Sequence, residues 1–161
     1  MTLRLILMRH AKSSWDQPGL RDHDRVLNQR GHLAAPLMGA YLRDMSLMPD
    51  LAYLSSAARV QETWALMALG SAAETVPNIY SAVAADLLRI IQRAPKTART
   101  LMVLGHQPTM QELANQLLPE WVIDDYPTAK LSVIDFEATD WGAVQFGSGS
   151  LITEASPKTL V

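Results

Sequence analysis

Leu3-Arg4-Leu5-Ile6-Leu7-Met8 runs straight into Arg9-His10, and the same arrangement recurs twice along the chain. Leu51-Ala52-Tyr53-Leu54 leads into Ser55-Ser56 with Arg59 one turn on, and Leu101-Met102-Val103-Leu104 leads into Gly105-His106. Apolar runs this short read as buried strands of a parallel sheet. In open α/β sheets, ligands bind beyond the carboxyl ends of the strands. Two histidines and two arginines are therefore expected to converge on one pocket. Such a pocket is strongly cationic inside a chain whose formal net charge is only -2, and that concentration calls for a compact anion, phosphate first.

Working outward, each strand is followed by a helical pattern. Asn28 is a plausible N-cap for a helix whose Leu33, Leu37, Tyr41 and Met45 recur every four residues, with Ala34 and Met38 widening the apolar stripe. Ser55 or Ser56 can cap a second helix carrying Val60, Trp64 and Met67 and ending near Gly70. A short strand is expected at residues 76–80, then a helix with Leu87, Leu88 and Ile91 stopped by Pro95. Pro108 stands where a helix with Met110, Leu113, Ala114 and Leu117 begins. Residues 131–136, 144–146 and 151–153 read as further short strands that complete one sheet edge. The expected fold is a single domain over residues 1–161, an α/β three-layer sandwich with a mostly parallel, mixed central sheet.

The chain of 161 residues is long enough to bury one sizeable core. Its 14 basic and 16 acidic side chains nearly balance, which argues against broad nucleic-acid or membrane-surface binding. Having no cysteine, it has no disulfide, thiolate nucleophile or thiolate metal site. The first apolar run is too short for a signal peptide or membrane span, so a cytoplasmic location is the expectation.

Neutral imidazole attacks phosphorus well, and guanidinium groups can grip equatorial oxygens bidentately while neutralising the charge of an in-line transition state. Arg59 falls in the first turn of a helix, where free backbone N–H groups already favour anions, and an arginine there gains from the dipole only with an anion between them. A metal site built from His10, His106 and an aspartate is an alternative, opposed by the adjacent arginines, which would repel a cation. His23 and His32 read as solvated surface residues, and the Met and Trp residues as packing with no cofactor implied.

Four blocks resemble the histidine phosphatase superfamily, which includes the phosphoglycerate mutases, and within it the SixA-type phosphohistidine phosphatases. They are residues 7–15 (Leu-Met-Arg-His-Ala-Lys-Ser-Ser-Trp), residues 24–31 (Asp-Arg-Val-Leu-Asn-Gln-Arg-Gly), residues 55–63 (Ser-Ser-Ala-Ala-Arg-Val-Gln-Glu-Thr) and Gly105-His106-Gln107-Pro108. The resemblance implies a phosphoglycerate mutase-like fold and a two-step reaction without a metal or cofactor. His10 is the implied nucleophile, with Arg9, Arg59 and His106 holding the phosphoryl oxygens and His106 cationic in the anionic complex. Arg25 and Ser55 are further candidate phosphate contacts, Arg25 having as its alternative a surface salt bridge to Asp22 or Asp24.

Two departures from the family pattern matter. Ala11 stands where the family often has glycine, a small change unless the backbone there needs a positive φ. Many relatives place a carboxylate just after the third strand, whereas residues 80–85 here offer none before Asp86, itself read as a helix N-terminal charge. Asp16, Asp22 and Asp24 remain candidates for a general acid. An alkoxide leaving group needs a proton badly, but a phosphorylated imidazole has a basic ring that can leave neutral. The missing carboxylate and the lack of a large lid insertion both point to phosphohistidine presented on another protein. The alternatives are a small-molecule phosphomonoesterase of the same mechanism, and a non-catalytic module that binds phosphate or phosphoproteins.

Overall fold

The structure, a computed structural model, describes residues 1–160. Six strands form one sheet in the order β3-β2-β4-β1-β5-β6, with β1 at Thr2–Arg9, β2 at Leu51–Leu54, β3 at Ala72–Thr75, β4 at Thr100–Gly105, β5 at Leu131–Glu137 and β6 at Ser150–Ala155. β3, β2, β4 and β1 are mutually parallel, whereas β5 runs antiparallel to β1 and β6 antiparallel to β5. The sheet is thus mixed, with helices on both faces, as the strand-helix alternation predicts.

Successive side chains of a strand point to opposite faces, so β1 divides its apolar residues between two cores. Leu3, Leu5 and Leu7 join the core under α3 (Ala84–Gln92) and α4 (Thr109–Leu117), which contribute Leu87, Leu88, Ile91 and Leu113. Ile6 and Met8 join the other, under α1 (Gln29–Asp44) and α2 (Ala58–Met67), with Met38, Leu42, Val60 and Met67.

The face that α1 buries differs from the expected one. Gly31, Ala35, Met38, Gly39 and Leu42 are buried, while Leu33 is 70% and Met45 54% exposed. Small residues won because of how close α1 lies to its neighbours. A Cβ on Gly39 would stand 2.2 Å from the Met67 carbonyl oxygen, and one on Gly31 2.3 Å from that of Lys12. No periodicity count detects that, because the count scores glycine as no contact. Asn28 does cap the helix, its side chain accepting from the Gly31 amide at 2.9 Å.

Two strand expectations also fail. The third strand is Ala72–Thr75, an edge strand with every residue exposed, and Pro77–Ser81 forms a 3₁₀ turn instead. Pro77 has no N–H to give a ladder, and its fixed φ suits the first position of a turn. Residues 144–146 lie outside any strand, following a 3₁₀ turn at Trp141–Ala143 held by the Asp140 side chain on the Gly142 amide.

Candidate active site

Strand register builds the site. Arg9 lies opposite Gly105 in the β1–β4 pairing, and Leu54 lies opposite Leu104 in the β2–β4 pairing, so the three strands end level. His10 and His106 therefore emerge side by side, ring centroids 5.3 Å apart, and α2 starts beside them. Thr63 of α2 ties helix to loop: its hydroxyl accepts from the Ala11 amide at 3.0 Å and donates to the Arg59 carbonyl at 2.7 Å. Ala11 is buried, and it is not among the residues with positive φ. The absence of glycine there carries no backbone strain.

His10 is 6% exposed, and its two ring nitrogens have different partners. Nδ1 is 2.7 Å from the Ala11 carbonyl oxygen, which can only accept, so Nδ1 carries the proton. Nε2 keeps its lone pair and accepts from Arg59 Nε at 3.3 Å. Burial pushes the imidazole down to about 3, with His106, Arg59 and Arg9 adding positive surroundings and the Ala11 hydrogen bond opposing the shift. The side chain is a neutral imidazole with one defined basic nitrogen facing the cations.

His106 has the opposite tautomer by the same reasoning. Arg59 Nη2 donates to its Nδ1 at 3.5 Å, which leaves the proton on Nε2 to be donated to Ser55 Oγ at 2.8 Å. Burial first, then Arg59, lowers it to about 4. In the free protein His106 is therefore neutral, and a cationic form needs an added anion. Ser55 is fully enclosed, its hydroxyl also accepting from the Ala57 amide at 3.2 Å. Its place here is behind His106, as the group that orients the ring.

Arg9 donates from Nη1 to the Tyr126 carbonyl at 3.0 Å, while its buried Nε has no hydrogen-bond partner among the described residues. Burial, then the Arg59 charge, lowers its pKa. Arg59 uses four of its five N–H groups. Besides His10 and His106 it holds the Asp22 backbone carbonyl at 2.8 Å and the Asp22 carboxylate at 3.0 Å. The same carboxylate accepts from Arg25 Nε at 3.1 Å and from the Tyr80 hydroxyl at 2.6 Å. Tyr80, then Arg59 and Arg25, hold Asp22 far below the usual carboxylate range.

Arg25 is buried, not on the surface. It also donates to Ser13 Oγ at 2.8 Å and the Ser14 carbonyl at 3.2 Å, with its guanidinium 3.5 Å over the Trp15 ring. Its ion pair with Asp22 makes it a brace for the loop that carries Asp22. Asp16 and Asp24 lie outside this network, Asp24 pairing with Arg21 at 3.1 Å. Asp86 accepts from the Val83 amide at 3.2 Å and pairs with Arg89, the helix-start role the sequence assigns it.

Sequence reasoning missed Tyr80. It stands one turn beyond β3, and its ring lies 5.5 Å from His106 and 4.8 Å from His23. His23 is only partly solvated, bonded to Ser56 Oγ at 2.8 Å. The signal that could have found Tyr80 was its position, since a phenol is a polar group that can replace an acid at a turn. His32 pairs with Glu62 at 2.9 Å on the outside. Among the described residues, no three His, Asp or Glu side chains group as a metal site, and no helix is long and apolar enough to cross a membrane.

The profile of the histidine phosphatase superfamily (branch 1) matches residues 5–79. An uncharacterised protein of Mycobacterium tuberculosis strain H37Rv is 32% identical over 154 residues, 90% of this chain and 96% of that protein. Part of an uncharacterised chloroplastic protein of Arabidopsis thaliana is 35% identical over 127 residues, 71% of this chain and 58% of that protein. Among solved structures, a protein of Agrobacterium tumefaciens named as a candidate phosphohistidine phosphatase SixA is 30% identical, with a TM-score of 0.81 over 96% of this chain and 98% of its own. The protein histidine phosphatase SixA complexed with tungstate shares the fold at 21% identity, with a TM-score of 0.80 over 99% of this chain and 100% of that one. The profile begins within β1 and includes Arg9, His10 and Arg59, while the solved relative spans sheet and helices alike. The chain belongs to the histidine phosphatase superfamily.

Proposed function

We propose that this protein is a metal-independent phosphatase that uses His10 as nucleophile and removes phosphate from phosphohistidine in proteins. The observation that carries the reading is the state of His10: neutral, with Nδ1–H held by the Ala11 carbonyl and the Nε2 lone pair turned toward Arg59. A neutral imidazole among guanidinium groups is matched to a phosphoryl group, which brings the negative charge those cations need.

In the first step the Nε2 lone pair of His10 forms a bond to phosphorus as the bond from phosphorus to the leaving nitrogen breaks. The substrate's imidazole departs with that electron pair, neutral when its second ring nitrogen is protonated. His10 becomes an N-phosphoimidazolium, its Nδ1–H still on Ala11. Water then attacks phosphorus, loses a proton to solvent, and His10 leaves as neutral imidazole. The bond made resembles the bond broken, so the first step has little driving force to overcome and needs no strong acid. Asp22, ionised throughout the ordinary pH range, is a poor proton donor, which fits a leaving group that does not require one.

Arg9, Arg59 and His106 hold the equatorial oxygens. The unpartnered Nε of Arg9 gains an acceptor, offsetting the cost of about 1–3 kcal/mol for a buried unpaired donor. The phosphoryl dianion raises the His106 pKa, so that Nδ1 takes up a proton and becomes a donor while Nε2 stays on Ser55.

The test is trapping. Incubation with labelled phosphoramidate should leave a phosphoryl label on His10, stable in alkali and lost in acid. His10→Ala should abolish the label and lower turnover by about 10³-fold or more, and a chelator should leave the wild type unaffected. Unchanged hydrolysis of every phosphodonor by His10→Ala would end the catalytic claim. A strong preference for sugar phosphates over a phosphohistidine protein would overturn the substrate and leave the mechanism.

A further inference from the structure

Part of the apolar stripe on α1 that the core does not fully cover lines a surface groove. Leu33, Ala34 and Leu37 form one wall of a groove of about 550 Å³. Pro127 and Thr128 stand opposite, Ser156, Pro157 and Lys158 close one end, and Lys12 and Arg30 stand at the rim. Among the described residues, the lining holds no carboxylate and no aromatic ring. Lys12, Arg30 and Lys158 are exposed, and none has a carboxylate within 4.0 Å among the described residues. Neighbouring Lys130 is different, paired with Glu154 at 2.7 Å and Asp125 at 3.3 Å.

Topology places this groove at the same end of the sheet as His10. Met8, near the end of β1, pairs with Leu131 at the start of β5, and Leu131 pairs with Ala155 at the end of β6. Residues 127–128 and 156–158 are therefore at the carboxyl end of β1, and the start of α1 is tied to the same end by the Asn28 amide, which donates to the Lys12 carbonyl at 3.0 Å. The connection is also direct. The Ala129 amide donates to the His10 carbonyl at 2.9 Å, the Arg9 amide donates to the Lys130 carbonyl at 3.0 Å, and Arg9 Nη1 donates to the Tyr126 carbonyl at 3.0 Å. One wall of the groove is thus continuous with the segment that holds the nucleophile.

We propose that this groove binds an acidic, amphipathic segment of the protein that presents the phosphohistidine, its apolar side chains on Leu33, Leu37 and Pro127 and its carboxylates at Lys12, Arg30 and Lys158. The assignment rests on the phosphoprotein reading above. Charge complementarity selects the occupant: three cations with no acidic partner among the described residues, in a chain whose formal net charge is -2, attract carboxylates locally and not polyanions generally. Aliphatic and proline walls suit Leu-type side chains in the manner of a helix or extended strand lying in a groove. Stacking of nucleic-acid bases has no aromatic platform here.

The experiment measures binding apart from catalysis. A fluorescein-labelled peptide of alternating glutamate and leucine is titrated with the full-length protein and followed by anisotropy. Wild type should bind it, more weakly as salt is raised. Arg30→Glu/Lys158→Glu should weaken binding by about tenfold, two exposed attractions becoming repulsions, and Leu33→Asp should weaken it as well. The charge-reversed protein should lose a similar factor in kcat/KM on a phosphohistidine protein while its turnover of phosphoramidate stays within about twofold of wild type. No binding by wild type, or equal binding by the reversed protein, overturns the site. Tighter binding of a single-stranded oligonucleotide than of the peptide, with the same loss on charge reversal, overturns the assignment to a protein segment. Peptide binding that the variants lose, combined with no turnover of phosphohistidine protein, defeats the substrate reading alone. Full turnover with unchanged peptide binding defeats this site alone.

Discussion

Two sets of cations share the carboxyl end of the sheet, and they differ in what surrounds them. Arg9, Arg25 and Arg59 are buried or half-buried, laced to carbonyls, to Asp22 and to His10. Lys12, Arg30 and Lys158 stand in solvent around an aliphatic groove with no acidic partner among the described residues. Burial lets the first set act on chemistry, because charges shielded from water shift pKa values and fix orientation. Exposure leaves the second set able to steer and hold a partner, weakly and in a salt-dependent way.

The sharpest way to break this contrast is Arg59→Ala. It removes the donor on His10 Nε2, the proposed phosphoryl clamp and the anchor of Asp22 together, and turnover of phosphoramidate should fall by about 10²- to 10³-fold. A loss of only a few-fold would mean that the buried arginine is structural.

Acid titration of stability comes next. His10 and His106 have folded pKa values of about 3 and about 4, below the ordinary value of 6.5. A depressed histidine stabilises the fold above the unfolded pKa, and that contribution is lost as pH falls toward the folded value. Between pH 6.5 and 4 the unfolded chain binds more protons at these sites than the folded one, the excess approaching about two near pH 5, so stability should decline with acid. Denaturant midpoints followed across that range should give a shallower slope for His10→Asn/His106→Gln, and an unchanged slope would show that neither imidazole is held neutral.

Asp22→Asn probes the internal anion. The carboxylate occupies the edge of Arg59 that the proposed phosphoryl contact needs, so its neutralisation should tighten competitive inhibition by vanadate by about two- to fivefold, the scale of a single exposed charge interaction. Weaker inhibition would instead make Asp22 a support that keeps Arg59 in place. The smallest effect belongs to the groove: Arg30→Glu alone should leave phosphoramidate turnover within about twofold, and a larger loss would mean that the exposed cations act on the chemistry after all.

Much of the site could be read from strand ends alone. An apolar run that stops at Arg9-His10, Ser55 or Gly105-His106 places those residues beyond the sheet wherever parallel strands end level, and the register brings them there. The helix of Asn28 and the helix-start role of Asp86 were legible because capping is local chemistry. The buried face of α1 was not. Leu33, Leu37, Tyr41 and Met45 keep helical spacing, yet Gly31 and Gly39 face inward because Met67 and Lys12 approach too closely for any side chain. Tyr80 was hidden for a related reason, its meaning lying in its 2.6 Å contact with Asp22, 58 residues away.

By itself the sequence determined the alternation of strands and helices as far as α4, the absence of thiol chemistry and the set of residues at the strand ends, all properties of local pattern and residue type. The tertiary structure decided which nitrogen of His10 bears the proton, that His106 is neutral and backed by Ser55, that Arg25 and Asp22 brace each other, and that an apolar stripe is left as a groove. Those outcomes depend on burial, tautomer and close approach, which arise only when distant segments meet at distances of a few ångströms.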